Sequence, residues 1–171
     1  MFEIGSYVVK PGNGVCQIKD ILHPDFSGTD KKRLYYLLIP LENKNSKLYV
    51  PTDTAQQTLR KALTAEEALC VIQNIPSVEA AWIANDKLRE QTYKQSLHSG
   101  EPNALISIIK NLYLRKKQRS EQGKKSTATD ERYFKLAEDH LYSELAFALG
   151  KDKNEMRQLI CDTIDRPEIS P

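Results

Sequence analysis

The sequence predicts an α+β protein of two domains, a small antiparallel β-barrel of the SH3 or Tudor kind followed by an all-α helical bundle. Short segments rich in aromatic and β-branched residues fill residues 1–60, with turns between them and no helical pattern. After a boundary around residues 52–64, apolar residues recur at helical spacing. We therefore place the barrel at residues 1–58, the helical domain at residues 59–165 and a tail at residues 166–171.

Four segments of the predicted barrel have the composition of strands: residues 7–9, 15–21, 34–39 and 47–51. The Pro-Gly-Asn-Gly run at residues 11–14 predicts the first turn. Pro40 stops the third segment, and a proline is tolerated at the edge or the end of a strand. Residues 36–39 could then form a free edge that pairs with a partner's strand. A closed barrel without such an edge is the alternative, which the sequence alone favours.

Five helices are predicted after the boundary. The residues that favour helix starts are Thr64 with Glu67, Pro102, Asp130 with Glu131, and Asp152 with Glu155. The second helix has Trp82 at or near its first turn and runs to about Leu97. The residues that form apolar faces on the other four helices are Leu69, Ile72 and Ile75; Leu105, Ile108, Ile109 and Leu112; Phe134, Ala137, Leu141, Leu145 and Leu149; and Met156, Leu159, Ile160 and Ile164.

Charge and cysteine content limit which partners and which cellular compartment are expected for the protein. Charged residues make up 28% of the chain, but the formal net charge is only +2, so nucleic-acid binding has to come from a local patch. The three cysteines, Cys16, Cys70 and Cys161, are far apart and odd in number, which predicts a reducing compartment. The sequence shows no signal peptide and no apolar run of about 18 residues. These features predict a cytoplasmic protein without a membrane partner.

No arrangement of residues predicts catalysis, a metal site or a cofactor site. His23, His98 and His140 fall in separate elements, and none stands at metal-ligand spacing. Cys16 lies in a strand pattern and is expected to pack. The Gln-Gly-Lys-Lys-Ser run at residues 122–126 lacks the upstream glycine and the residue order of a phosphate loop. An enzyme is therefore not expected, although a pocket that clusters histidines or carboxylates would reopen the question.

Trp82 is the only tryptophan in the chain, and the sequence leaves two roles open for it. One is a buried anchor beneath a helix start, because tryptophan is well buried on average. The other is an exposed apolar wedge, because Lys87, Arg89 and Lys94 follow it closely. A ring flanked by cations suits the DNA minor groove, where the ring unstacks a base step and the cations contact phosphates.

A basic stretch at residues 110–125 holds seven Lys or Arg against one acid, Glu121. Its cations are Lys110, Arg115, Lys116, Lys117, Arg119, Lys124 and Lys125. Cations complement the dipole at a helix C-terminus, but that effect accounts for only about two or three of them. A phosphate-contacting surface explains the set better, and a solvated helix end remains the alternative. No recognition-helix or zinc-finger spacing indicates direct readout of bases in the major groove.

Residues 2–15, with residues 35–40 and 48–51, resemble the start of the CarD family of bacterial transcription regulators. The same β module begins the RNA-polymerase-interaction domain of transcription-repair coupling factors. The helical half resembles the family in the same order, through Trp82, Ser99-Gly100 and residues 109–113, 130–132 and 142–146. The resemblance covers roughly residues 1–150. The helicase motor of a coupling factor is absent, so the resemblance is to the stand-alone regulator.

This resemblance implies two partners, RNA polymerase and promoter DNA. The barrel is implied to bind the polymerase β subunit by extending a sheet, and the residues implied are Tyr36, Leu37, Leu38, Ile39, Lys47 and Tyr49. The helical domain is implied to contact the minor groove and phosphate backbone at the upstream edge of the melted region. The residues implied there are the wedge Trp82 and the cations Lys87, Arg89, Lys94, Arg115 and Arg132.

Together these inferences predict a non-enzymatic, monomeric, nucleoid-associated regulator that stabilises the open promoter complex. A protein that binds only the open form favours it by its differential affinity for that state. Tethering through the barrel lets the helical domain act without tight binding to free DNA. The alternative is a protein-protein interaction module that does not bind DNA.

Overall fold

In a computed structural model that describes residues 1–165, an antiparallel sheet of five strands precedes a group of five α-helices. The predicted α+β class is therefore confirmed. The chain divides into two units, Met1–Ala62 and the residues from Leu63 onward, which we call the N-terminal and helical modules. The tail predicted at residues 166–171 lies outside the described residues.

The N-terminal module contains every predicted strand and two elements that the sequence pattern did not indicate. Its elements are β1 (Tyr7–Lys10), β2 (Gly14–Leu22), β3 (Tyr35–Pro40), β4 (Leu48–Pro51), the short helix α1 (Ala55–Thr58) and β5 (Arg60–Lys61). Both α1 and β5 lie in the stretch interpreted as a boundary. β5 has only two residues, too few for an alternating pattern to show in the sequence.

The strands follow the order β4-β3-β2-β1-β5, and every neighbouring pair is antiparallel. The long strand β2 pairs with β1 along its first half and with β3 along most of its length. Its register with β3 shifts between Ile18 and Asp20, and such a bulge bends a strand and increases its twist. The sheet can therefore curl around a core although it has few strands.

The core of this module lies on one face of the sheet and is closed by α1. It consists of Val8, Cys16, Ile18, Tyr36, Leu38, Val50, Ala55 and Leu59. Cys16 packs there as predicted, and burial raises the pKa of its thiol to about 11. The thiol therefore stays protonated at neutral pH, which makes it a poor nucleophile.

The helical module has five α-helices and a 3₁₀ turn in its described part. They are α2 (Ala65–Asn74), the 3₁₀ turn Ile75–Ser77, α3 (Asp86–Ser99), α4 (Pro102–Glu121), α5 (Ala128–Leu149) and α6 (Lys153–Asp165). The predicted capping box of Thr64 and Glu67 is present at the start of α2, and Pro102 occupies the first turn of α4. None of these helices combines the length and the apolarity that crossing a membrane requires.

The helices share one apolar core, and the predicted faces of α4, α5 and α6 contribute to it. Leu105, Ile108, Ile109 and Leu112 are all nearly inaccessible to solvent, as their spacing predicts. The face predicted for α2 was wrong at Leu69, which is half exposed, whereas Ala68 is fully buried. Ala68, Ile72 and Ile75 repeat at the helical period, so Leu69 is rotated away from the core.

Candidate functional site

β4 and β5 end the strand order, so within the described residues they carry the unpaired edges of the sheet. Residues 36–39 do not form the free edge considered as a possibility, because β3 is paired on both sides, with β2 and with β4. The closed barrel that the sequence favoured is not found either, because β4 and β5 are not neighbours in the strand order of the described residues. Pro40 closes β3 opposite Cys16, and a proline is tolerated at such a strand end as well as at an edge. The free edge beside β3 is therefore β4.

The ladder between β3 and β4 shows which backbone groups of β4 point outward. The Thr52 amide donates to the Leu34 carbonyl at 3.0 Å, in the register that also pairs Tyr36 with Val50. Hydrogen-bonded and non-hydrogen-bonded pairs alternate along an antiparallel ladder. The N–H and C=O of Val50 therefore point to β3, whereas those of Tyr49 point away from it.

Tyr49 thus presents a backbone donor and a backbone acceptor at the edge, and the alternation assigns the same direction to Lys47. Pro51, the next outward-pointing residue, has no N–H. A strand added to this edge would therefore pair mainly at Lys47 and Tyr49. The other edge is shorter: the Ala62 amide donates to the Tyr7 carbonyl at 3.1 Å, which leaves Lys61 as the outward-pointing residue of β5.

The residues predicted to bind polymerase divide between the core and the surface. Tyr36 and Leu38 are fully buried in the core, so a partner cannot reach their side chains. Leu37 and Ile39 lie on the opposite face of β3 and are partly exposed. Leu37 is the cross-strand partner of Tyr49, so the two side chains share that face.

Trp82, predicted at or near the first turn of a helix, lies in the loop four residues before the helix α3. α3 begins at Asp86, and Asn85 caps it by accepting hydrogen bonds from the amides of Lys87 and Leu88 at 3.0 and 3.1 Å. Asparagine is a preferred cap, and it fixes the helix start after Trp82. The Trp82 side chain is 65% exposed, which overturns the buried-anchor interpretation.

Two polar side chains of α4 hold the segment that leads to Trp82. The Lys110 ammonium donates to the carbonyls of Pro76 and Val78 at 3.1 and 2.7 Å. The Ser107 hydroxyl donates to the carbonyl of Glu79 at 2.7 Å. Residues three apart on a helix lie on one face, so α4 offers these donors side by side. Lys110 therefore has a structural role, although the sequence counts it in the basic stretch.

Two further side chains hold the carbonyls on either side of Trp82. The amide nitrogen of Asn111 donates to the carbonyl of Ala81 at 2.5 Å and to the hydroxyl of Tyr93 at 3.2 Å. The Arg89 guanidinium donates to the carbonyl of Ile83 at 3.1 Å. Asn111 and Arg89 are both buried. We call Ser107, Lys110, Asn111 and Arg89 the loop clamp.

Arg89 was predicted to contact DNA, but the structure places it inside the module. Its side chain also pairs with Asp86, so its donors are directed at the protein. Arg115 is likewise largely buried and pairs with Asp130 at 3.0 Å. These two cations hold loops and helix ends together, and they offer little charge to a ligand at the surface.

Lys94 and Arg132, two other predicted cations, come together at one carboxylate. Glu90 lies 3.2 Å from the Lys94 ammonium and 3.7 Å from the Arg132 guanidinium. The Tyr133 hydroxyl donates to the same carboxylate at 3.0 Å, and this bond, with the Lys94 contact, lowers the pKa of Glu90. Both cations are more than half exposed, and the predicted cation Lys87 at the start of α3 is also exposed.

The rest of the basic stretch is mostly exposed. The Arg119 guanidinium donates to the backbone carbonyl of Lys125 at 2.9 Å, which closes the turn after α4. The exposed cations are Lys116, Lys117, Lys124 and Lys125. About half of the stretch is therefore presented to solvent, and the remainder stabilises the fold.

A cavity of about 500 Å³ between α4, α5 and α6 is lined by several carboxylates. Each of the buried ones has a protein partner: Asp130 pairs with Arg115, and Glu138 pairs with Arg157 at 3.2 Å. Among the described residues, no three His, Cys, Asp or Glu side chains converge on a possible metal position. Packing and ion pairing account for these carboxylates without a substrate.

The loop clamp was not identified from the sequence, but the pattern around one of its residues could have indicated a buried contact. Asn111 is a lone amide on the otherwise apolar face of α4, and a buried amide requires hydrogen-bond partners. Burial raises the pKa of Tyr93 to about 12, so its hydroxyl remains neutral beside that amide. The identity of the partner, a loop carbonyl 30 positions away, could not be read from the pattern.

Comparison with known protein families finds a match for each module. Residues 2–63 match the family described as CarD-like/TRCF RID domain, and residues 70–161 match the family described as CarD, C-terminal domain. No curated protein matches the sequence. The second match alone spans more than half of the chain, and the first is a domain that interacts with RNA polymerase. The chain therefore belongs to the CarD family of non-enzymatic transcription regulators, and its N-terminal module is an RNA-polymerase-interaction domain.

Proposed function

We propose that this protein bridges the RNA polymerase β subunit and promoter DNA, one copy per complex, and stabilises the open promoter. The N-terminal module adds a polymerase strand to its β4 edge. The helical module contacts the upstream edge of the melted region, where Trp82 enters the minor groove as a wedge. Lys87, Lys94 and Arg132 contact the phosphate backbone beside it.

The observation that carries the DNA part is the exposure of Trp82 on a fixed loop. A tryptophan that is 65% exposed gives up apolar burial, so its position needs a reason other than stability. The clamp residues Asn111 and Arg89 hold the carbonyls before and after it, which restricts the backbone that carries the ring. A preorganised ring loses little conformational entropy when it binds.

The free-energy terms agree with a helical module that acts on DNA only when polymerase tethers it to the promoter. Inserting an apolar side chain unstacks a base step at a cost of a few kcal/mol, and stacking of an aromatic ring recovers about 1–3 kcal/mol. The net gain in free energy from inserting the ring is therefore small. The formal net charge of +2 is also small, which limits the general attraction of the protein to DNA. Binding to polymerase raises the effective concentration of the helical module at the promoter, so weak DNA contacts suffice.

Open-complex lifetime tests the wedge. On a linear promoter with its cognate polymerase, wild type should lengthen the lifetime after competitor challenge, and Trp82→Ala should lose most of that effect. Leu88→Ala is the matched control, because Leu88 is also an exposed apolar residue near the start of α3 and carries no clamp bond. A Trp82→Ala variant that lengthens the lifetime as wild type does would reject the wedge.

Two further outcomes separate this proposal from its alternatives. A protein that binds polymerase but never alters promoter complexes, at any salt concentration, is an interaction module without DNA binding. Unfolding of Trp82→Ala in circular dichroism would restore a structural role for the ring. The exposure of Trp82 argues for a folded variant, because little packing is lost.

Substitutions at Tyr49 test the β4 edge. Tyr49→Pro removes an outward-pointing N–H and leaves the bonds between β3 and β4 in place, whereas Tyr49→Val removes the ring and keeps the N–H. We expect Tyr49→Pro to bind RNA polymerase much more weakly than Tyr49→Val. Equal binding by the two variants would show that the β4 backbone does not pair with polymerase.

A further inference from the structure

Phe26 is the most exposed aromatic residue of the N-terminal module. It lies in the loop between β2 and β3, and its side chain is 45% exposed. Its ring packs edge-on against the ring of Tyr49, with centroids 4.9 Å apart. The loop is held in this conformation because the Thr29 hydroxyl donates to the carbonyls of Phe26 and Pro24 at 2.8 and 3.3 Å.

The two rings lie on the outer face of the sheet, away from the core. The side chain of Tyr49 shares this face with Leu37, its cross-strand partner. Leu37 and Tyr49 are both only partly buried. Together with Phe26 they form an apolar surface that adjoins the β4 edge, and we call these three residues the aromatic corner.

We propose that the aromatic corner binds an apolar side chain of the polymerase segment that pairs with β4. This inference rests on the proposed function of that edge and adds the chemistry of the partner. Phe26, a loop residue outside the sheet, becomes a determinant of polymerase affinity. The occupant is the residue of the added strand that stands opposite Tyr49.

The geometry of strand pairing leads to this occupant. Residues directly opposite each other in neighbouring strands project their side chains to the same face, with Cβ atoms about 4.5–5.5 Å apart. A residue that pairs with the outward backbone groups of Tyr49 therefore projects beside the Tyr49 ring. An apolar side chain there would bury part of Phe26 and Tyr49, and such burial is favourable.

The charge pattern of the corner agrees with an apolar contact. Phe26, Leu37 and Tyr49 carry no charge, and the exposed Lys47, two residues before Tyr49, lies beside the corner and not within it. An acidic partner side chain opposite Tyr49 would lose hydration against two rings without gaining an ion pair from them. Selectivity at this position is therefore expected to come from shape and burial.

The test is the affinity of the full-length protein for its cognate core RNA polymerase, measured by biolayer interferometry. Phe26→Ala should weaken binding roughly tenfold, because exposed aromatic anchors at interfaces are common hot spots. Phe26→Leu, which keeps an apolar side chain, should bind within about threefold of wild type. The loss caused by Phe26→Ala should be similar at low and high salt, since surface charge interactions are screened and apolar contacts are not.

Two controls keep failure of this inference distinct from failure of the edge proposal. If Tyr49→Pro binds much more weakly than Tyr49→Val while Phe26→Ala binds as wild type does, the edge stands and the aromatic corner is overturned. If neither variant changes binding, both proposals are overturned. Thermal unfolding of each variant ensures that a loss of affinity is not a loss of fold, and a strongly destabilised Phe26→Ala would be replaced by Phe26→Ser and Phe26→Leu in the same comparison.

Discussion

The side-chain amide of Asn111 donates a hydrogen bond to the carbonyl of Ala81, the residue immediately before Trp82. This bond links the middle of α4 to the loop that presents the only tryptophan of the chain. Asn111 is almost fully buried, and its nitrogen also contacts the Tyr93 hydroxyl. A buried hydrogen bond of this kind favours one loop conformation, because any other leaves the Ala81 carbonyl without this donor.

Loss of the hydrogen bond between Asn111 and Ala81 should make the Trp82 ring more mobile while the tryptophan itself is kept. Asn111→Ala leaves the Ala81 carbonyl without its donor, at a cost of about 1–3 kcal/mol in the free energy of unfolding. We expect lower steady-state fluorescence anisotropy of Trp82 and a shorter open-complex lifetime than wild type gives. Because Trp82 is the only tryptophan, the fluorescence reports on this loop alone.

Asn103→Ala supplies the matched control for that measurement. Asn103 is also an asparagine of α4, but it is exposed in the first turn of the helix. Its substitution should leave both the anisotropy and the lifetime unchanged. An Asn111→Ala variant whose anisotropy equals that of wild type would show that the loop does not depend on this hydrogen bond.

Neutral substitutions of Lys110 and Lys87 should affect different properties, protein stability for Lys110 and DNA binding for Lys87. Lys110→Met removes donors to the Pro76 and Val78 carbonyls, so we expect a loss of about 1.5–3 kcal/mol in stability. Lys87 is exposed, so Lys87→Met should leave stability unchanged and reduce the salt slope of promoter binding by about one. Urea unfolding and salt titrations of the polymerase–promoter complex measure the two effects. A reduced salt slope of promoter binding for Lys110→Met would show that Lys110 contacts DNA.

The apolar framework of this fold could be predicted because it is local and periodic. Leu105, Ile108, Ile109 and Leu112 recur at the helical period, and all four are buried. The capping box at Thr64 and the proline at the start of α4 fix helix ends through contacts within a few residues. In such cases the contacts that stabilise the structure join residues only a few positions apart, so a short sequence pattern is enough to predict them.

The clamp around Trp82 could not be predicted, because the contacts of Ser107, Lys110 and Asn111 join positions 28 to 34 residues apart. A lysine or arginine in a basic stretch has the same sequence signature whether it contacts phosphate or a loop carbonyl. Only the folded positions of Lys110, Arg89 and Arg115 show that these three cations face the protein. The start of α3 was misplaced for a different reason: apolar periodicity begins near Trp82, but the stronger cap at Asn85 determines where the helix begins.

Glu90 should limit the affinity of the helical module for DNA. Its carboxylate holds Lys94 and Arg132, two exposed cations, and adds a negative charge between them. Glu90→Gln removes that charge and leaves an amide that can still accept from Tyr133. We therefore expect tighter promoter binding and a steeper salt dependence in complexes with polymerase, measured by fluorescence anisotropy of labelled DNA.

Glu131→Gln is the control for Glu90→Gln, because it removes one exposed carboxylate from the neighbouring helix α5. It changes the net charge equally and breaks neither the Glu90–Lys94 nor the Glu90–Arg132 ion pair. A larger gain for Glu90→Gln identifies a local effect on these two cations. Equal gains would mean that only the total charge matters.

Glu138 should make the stability of the helical module depend on pH. Burial raises the pKa of this carboxyl above its ordinary value of 4.5, although Arg157 and the Tyr142 hydroxyl act in the opposite direction. The folded state therefore binds a proton more tightly than the unfolded state, so this contribution to stability is present below pH 4.5 and is lost as pH rises through the raised folded pKa. Glu138→Gln removes the titration, so its stability relative to wild type should improve between pH 4.5 and neutral pH in urea unfolding. A stability difference between the two proteins that does not change over this range would contradict the prediction.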